Sequence, residues 1–173
     1  DKGALNSTIY VWRGVEIEHH TRMIDVLNPF CQSYLKEIQL KQKSNSLISD
    51  GIKIPIPSSQ INQIQVNAHI LKHFIGFGIG LRQYCDSARL SFSTKDEIDG
   101  VELHKNFKKL GILSWMNLTY SFLVNQLGLP VQYLPYKLKT QENTDWLLDE
   151  ILEVGNFGFH DQRYSFGNEV ESA

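Results

Sequence analysis

The stretch "SQINQIQVNAHILKHFIGFGIGLRQYCDSARLSF", residues 59–92, decides the fold class. Its apolar residues recur at steps of three and four, which is the pattern of an amphipathic helix; they are Ile61, Ile64, Ala68, Leu71 and Ile75. Glycines at positions 76, 78 and 80 then interrupt the pattern, and each is costly inside a helix. We therefore predict a helix from Ser59, a break at 76–80 and a second helix over 81–92.

Further helices are expected on both sides of this pair. Asn28 and Pro29 suit the start of a helix that runs to about Lys43. Thr94 with Glu97 has the spacing of a capping box, and the helix that follows would end at Gly111. Apolar segments predict two more helices, over 114–128 and 143–155. Between the first helix and Ser59, "IKIPIPSS" (52–59) is expected to be extended because each proline disfavours the α conformation of its predecessor.

The N-terminal segment has the pattern of a β-hairpin. "STIYVW" (7–12) and "VEIEHHTR" (15–22) are two β-rich runs that a short Arg-Gly link joins. The fold class is therefore α+β and mostly α-helical, with an N-terminal β-hairpin followed by a helical bundle. We place the domain boundary after residue 26, with the hairpin in 1–26 and the helical domain in 27–173.

The bulk composition excludes several classes of protein. With 42% hydrophobic and 21% charged residues, the 173-residue chain is in the globular range. A formal net charge of -2 gives no basic excess for binding nucleic acid. Cys31 and Cys85 lie far apart without metal-ligand spacing, which fits a reduced cytoplasmic protein, and no apolar run is long enough to span a membrane. The chain begins "DKGALNS", and we expect it to be a piece of a longer protein.

The second run of the hairpin carries a row of ionisable residues at alternate positions. Glu16, Glu18, His20 and Arg22 would share one face of a strand. Carboxylates in such a row can hold Mg²⁺, and an arginine beside them can bind a phosphate. The same alternation is equally typical of the solvated face of a half-buried strand, and spacing alone favours that plainer interpretation.

The helix pair around the glycines carries a second group of polar residues. His69 and His73 are four apart and share a helix face, as do Arg82 and Asp86. The histidines could bind a metal, but the glutamate of a zinc-protease HExxH motif is absent. "GFGIG" is not a dinucleotide-binding GxGxxG fingerprint. On spacing alone, structural roles are favoured here, and also for the loop "GNFGFHDQR" (155–163).

Four stretches together resemble one family. They are "VEIEHHTRMIDVLNPF" (15–30), "HILKHFIGFGIGLRQYCD" (69–86), "LVNQLGLP" (123–130) and "EILEVGNFGFHDQR" (150–163). They occur in this order in uncharacterised nucleotidyltransferase-like proteins, frequent in bacteria of the Bacteroidetes and assigned to the polymerase-β-like superfamily. The resemblance implies Mg²⁺ as cofactor, an NTP as substrate, and a hairpin that is the remnant of a nucleotidyltransferase sheet.

The resemblance also implies roles for individual residues. Glu18 would be the third metal-binding carboxylate and a catalytic residue, with Glu16 as the competing candidate. Substrate-binding roles would fall to His20, Arg22, His69, His73, Arg82, Gln83 and Asp86. The superfamily's Gly-Ser turn and DxD pair do not occur in this sequence. We therefore expect the C-terminal part of an Mg-dependent enzyme that transfers a nucleotidyl group to an unknown hydroxyl acceptor, inactive as this piece.

A second interpretation stays open from the residues. The chain could be a non-catalytic helical module that binds a partner protein or a small ligand. That interpretation predicts that the row at 16–22 is exposed and separate from the helices of 69–86. A homodimer is a further expectation, because a hairpin by itself leaves strand edges unpaired.

Overall fold

The fold is described from a computed structural model, which covers residues 7–20, 31–41, 45–76 and 78–155, without the side chains at positions 7, 18 and 20. These residues contain two antiparallel hairpins and six α-helices, connected by loops and two short 3₁₀ turns, so the predicted mostly helical α+β class is confirmed. The strands are β1 (Ser7–Trp12), β2 (Val15–His20), β3 (Asn45–Ser49) and β4 (Ile52–Ile56). The helices are α1 (Gln32–Lys41), α2 (Ser59–Gly76), α3 (Leu81–Thr94), α4 (Gly100–Lys109), α5 (Leu113–Asn125) and α6 (Asp145–Val154).

The helix–glycine–helix prediction is confirmed. The Ser58 hydroxyl accepts a hydrogen bond from the backbone N–H of Ile61 at 3.3 Å, which starts α2 with an N-cap. The helix ends at Gly76, and α3 begins at Leu81. Gly78 has a φ of 78°, a conformation that glycine adopts without strain, so the break falls where the glycines cluster.

The predicted capping box is wrong. Thr94 lies at the end of α3, where its hydroxyl donates to the Leu90 carbonyl at 2.7 Å. Asp99 caps α4 instead, and its carboxylate accepts from the backbone N–H groups of Val101 and Glu102, each at 2.9 Å. The physical reason is the short 3₁₀ turn over residues 95–97, which moves the N-cap of α4 five residues beyond Thr94, to Asp99.

The hairpin β3–β4 is a strand pair that the sequence analysis missed. Asp50 and Gly51 form its two-residue turn with φ values of 50° and 77°, as a type I′ turn requires. Pro55 in β4 and Pro57 just after it predict only an extended chain from the sequence. Pro55 pairs with Ser46 across the hairpin, and a proline is tolerated there because each strand of a two-stranded sheet is an edge strand.

The core lies between the helices. Helix α2 packs against α3 and α4, and α5 packs against the same two helices. The fully buried aromatic side chains at its centre are Tyr84, Phe107, Tyr120 and Phe122. Of the stripe predicted on α2, Ile61, Ile64 and Ala68 are buried, but Ile75 is 55% exposed because the buried face turns toward Ile70. In the described ranges, no helix is both long and apolar enough to cross a membrane.

Candidate functional site

The ionisable row of β2 begins on an ordinary antiparallel strand. β2 pairs with β1 so that Glu16 stands opposite Val11 and Glu18 opposite Ile9. Positions 16, 18 and 20 alternate along the strand and so belong to one face of the hairpin. The Glu16 side chain is exposed. Arg22 lies outside the described residues, and so do the side chains of Glu18 and His20.

The opposite face of the same hairpin is apolar and equally open. Trp12 stands across from Val15, and Tyr10 across from Ile17. These four side chains are 46–60% exposed. The plainer interpretation of the row was the solvent-exposed face of a strand whose other face is buried. No described side chain of β2 is buried, however. The hairpin therefore presents both faces to solvent in the described part of the chain.

The two histidines of α2 lie side by side. The rings of His69 and His73 have centroids 4.2 Å apart and are tilted by 60° to each other. His69 is exposed, whereas His73 is half-buried. Burial, reinforced by the positive charges of His69 and Lys72, holds the pKa of His73 below its usual value. His73 is therefore a neutral imidazole at physiological pH.

The first two turns of α3 carry the other predicted substrate-binding residues. Arg82 and Asp86 are exposed, and Gln83 is half-buried. No ion pair joins Arg82 to Asp86 in the part of the chain that the structure describes. The break at 76–80 makes α2 and α3 neighbours, so this group and the histidine pair belong to one helical hairpin.

The structure does not join the β2 row to this helical hairpin. Within the described ranges, the extensive contacts of β2 are with β1, and those of α2 are with α3 and α4. The same ranges hold no cluster of three or more histidine, cysteine, aspartate or glutamate side chains that could bind a metal ion. The described carboxylates are of the type that Mg²⁺ prefers, but by themselves they do not form its site.

A buried polar cluster between α2, α3 and α5 escaped the sequence analysis. Asn67 donates through Nδ2 to the carbonyl and the Oε1 of Gln63, at 2.8 and 3.1 Å, and accepts from the Ser87 hydroxyl at 2.7 Å. Gln63 donates to the Ser91 Oγ at 3.3 Å and accepts from the Tyr120 hydroxyl at 3.5 Å. All five side chains are fully buried, and burial raises the pKa of Tyr120 well above its usual value. Gln63 and Asn67 each precede a residue of the apolar stripe, Ile64 and Ala68, and so lie beside that stripe; their spacing alone does not indicate burial.

A polar cleft was also missed. It has a volume of about 660 Å³, within the range of small-molecule sites, and it opens where α1, the base of β3–β4, α2 and α4 meet. Its lining is entirely polar or charged: Lys41, Asn45, Ser58, Ser59, Gln60, Glu97, Asp99 and Glu102. The hydroxyl of Ser59 donates to the Glu97 carboxylate, which ties α2 to the turn before α4. The spacing of Thr94 and Glu97 predicts a helix cap, whereas the structure places Glu97 in the lining of this cleft.

These features describe a helical protein with an acidic strand row and a polar helical hairpin. A family described as uncharacterised nucleotidyltransferases matches residues 5–126, from β1 to the end of α5. The match covers well over half of the chain, so the chain belongs to this family. Searches of curated proteins and of solved structures each found no match.

Proposed function

We propose that the chain is part of an Mg-dependent nucleotidyltransferase, which transfers a nucleotidyl group from an NTP to a hydroxyl acceptor. The observation that carries the proposal is the face of β2 at positions 16, 18 and 20, in a chain of this family. Glu16 on that face is exposed and accessible to a ligand. Catalytic carboxylates on a strand are generally held more precisely than carboxylates on a loop.

Glu18 is the proposed catalytic carboxylate. It takes the proton from the acceptor hydroxyl, whose oxygen then forms a bond to the α-phosphorus of the NTP. The bond from that phosphorus to the oxygen bridging the β-phosphate breaks, and pyrophosphate leaves with the electron pair. Glu16, two residues earlier on the same face, is the alternative for this role. A carboxylate positioned as general base contributes about 10²–10⁴-fold to a rate.

The magnesium requirement extends beyond the described residues. Bound Mg²⁺ would neutralise charge on the phosphates. Glu18 is its proposed ligand in this chain, but further carboxylates must complete the site, since none gather in the described ranges. The proposed domain division follows from this requirement. Residues 1–26 end a nucleotidyltransferase core, and residues 27–173 form the appended helical domain.

The nucleotide phosphates are the proposed partners of the basic residues. Arg82 is exposed in the first turn of α3, where its guanidinium can bind a phosphate with two parallel hydrogen bonds. His20 and Arg22 are proposed to act from the β2 side. His69, His73, Gln83 and Asp86 are proposed to line the nucleotide from the helical hairpin. Packing of α2 against α3, which holds this group on one support, is the structural argument for treating it as one wall.

Pyrophosphate release by the full-length protein tests the proposal. Each of the four NTPs is supplied with Mg²⁺ and a pool of small hydroxyl compounds. We expect Glu18→Gln to lower the rate by about 100-fold or more. Glu153→Gln is the matched control, because Glu153 is an exposed glutamate on α6, outside the family match. Unchanged turnover in both Glu18→Gln and Glu16→Gln would remove the catalytic assignment.

One observation favours a second candidate, a non-catalytic helical module. The β2 row makes no extensive contact with α2 or α3 among the described residues, as that interpretation predicted. Calorimetric titration of the full-length protein with each NTP and Mg²⁺ separates the two. Binding that Arg82→Ala weakens supports the enzyme. A folded protein that binds no NTP supports the module.

A further inference from the structure

The histidine pair of α2 has the geometry of a chelate. His69 and His73 lie four positions apart, so about one turn of helix brings their side chains to the same face. Their ring centroids are 4.2 Å apart. The 60° tilt between the rings differs from face-to-face stacking. Solvent reaches both residues, since His69 is exposed and His73 half-buried.

We propose that His69 and His73 together bind one divalent transition-metal ion of the Zn²⁺, Ni²⁺ or Cu²⁺ type. An ion about 2.0–2.1 Å from an imidazole nitrogen lies roughly 3.2 Å from the centre of that ring. Two rings can bind one ion only if their centres are separated by less than about twice this distance. The observed 4.2 Å is below that limit, so the spacing of the two rings is compatible with one shared ion.

The chemistry of the pair selects the class of metal. Imidazole is a good ligand for Zn²⁺, Ni²⁺ and Cu²⁺, whereas Mg²⁺ prefers carboxylate and water oxygens. Each ring needs only one nitrogen for the ion, and the other nitrogen can keep a hydrogen bond to the protein. Metal binding requires the neutral form of each imidazole, so the affinity is expected to fall at acidic pH.

The site is open and its affinity is expected to be moderate. In the described ranges no third histidine, cysteine, aspartate or glutamate joins the pair, so water or a ligand would complete the coordination of the ion. The positive charge of Lys72, which helps to lower the pKa of His73, also opposes a cation. Both features indicate an exchangeable ion rather than one on which folding depends.

Calorimetric titration of the untagged full chain with ZnCl₂ and with NiCl₂ tests this inference. We expect one ion per chain, and binding at least about tenfold weaker in His69→Ala and in His73→Gln. His104→Ala is the matched control, because His104 is a half-buried helical histidine on α4 that contacts Tyr136. Circular dichroism of each variant confirms that its helices are retained.

Two results would overturn the inference. One is wild-type binding no tighter than that of His69→Ala, and the other is an equal loss in His104→Ala. Excess Mg²⁺ and the Glu16→Gln substitution are expected to leave Zn²⁺ binding to the histidine pair unchanged. Both act on the proposed carboxylate site on β2 and not on the imidazoles of α2. The inference does not rest on the proposed nucleotidyl transfer. Absence of pyrophosphate release would leave the titration result standing.

Discussion

The hydrogen bonds of Asn67 allow a quantitative prediction. Asn67 is fully buried and makes three hydrogen bonds, two to Gln63 at 2.8 and 3.1 Å and one from Ser87 at 2.7 Å. Replacing Asn67 by alanine removes all three and leaves the Ser87 hydroxyl without its acceptor. Replacing Ser87 by alanine removes one bond and leaves the Asn67 Oδ1 buried without its donor.

The expected losses follow from the number of bonds. Each hydrogen bond contributes about 1 kcal/mol net to the free energy of unfolding, so Asn67→Ala removes about 3 kcal/mol. The better helix propensity of alanine returns roughly 0.6 kcal/mol, which leaves about 2–3 kcal/mol. Ser87→Ala costs about 1–2 kcal/mol. The double variant is expected to lose about 1 kcal/mol less than the sum, because both partners of one buried bond are then gone.

Urea unfolding followed by circular dichroism measures these losses. The free energy of unfolding should fall with urea concentration at the same slope in all variants, so that a shift of the midpoint reports a change in stability. Ser93→Ala is the control for Ser87→Ala, because both serines are on α3. Ser93 is exposed and donates a hydrogen bond to the nearby Leu90 carbonyl at 3.2 Å. Its replacement should change the free energy of unfolding by less than about 0.5 kcal/mol. If the loss in the double variant equals the sum of the two single losses within about 0.3 kcal/mol, the proposed coupling between Asn67 and Ser87 is refuted.

Two further predictions concern a glycine contact and a histidine. Gly100→Ala should lower the free energy of unfolding by about 1–3 kcal/mol, because its Cβ would collide with the Pro135 carbonyl oxygen. A Cβ at position 76 would meet no neighbouring atom, so Gly76→Ala should be neutral or stabilising in the same urea assay. An equal loss of stability in the two variants would contradict the contact at Gly100. Because the pKa of His73 is lower when folded than when unfolded, stability should fall as pH drops through and below 6.5. His73→Gln should reduce the loss of unfolding free energy between pH 7.5 and pH 5.5. An unchanged loss in this variant would disprove the assignment of the pH dependence to His73.

Local features of the sequence predicted the helical body and the first hairpin. Three such features are the apolar period of α2, the glycines at 76–80 and the alternation of apolar and polar residues in 15–20. Each involves only a few neighbouring residues, so it can be recognised in the sequence alone. The second hairpin was also encoded locally, by Asp50-Gly51 between apolar runs. Pro55 and Pro57 by themselves predict only an extended chain, although an edge strand also tolerates a proline such as Pro55.

The catalytic assignment stays a prediction. Alternation on a strand predicts that positions 16, 18 and 20 share a face, and the register of β1 with β2 agrees. The part that the row plays depends on which other carboxylates approach it, and long-range approach has no local signature. Resemblance to the family, and not periodicity, gave Glu18 its proposed role.

The sequence by itself determined where helices and strands form, because backbone preferences and apolar spacing are properties of short segments. The tertiary structure alone decided which polar groups are buried and which rings meet. Gln63 and Asn67 count as polar helix positions until α3 and α5 cover them with Ser87, Ser91 and Tyr120. His69 and His73 share a face by spacing, but their 4.2 Å separation depends on side-chain packing. Burial and close approach arise from distant segments, so only the folded chain fixes them.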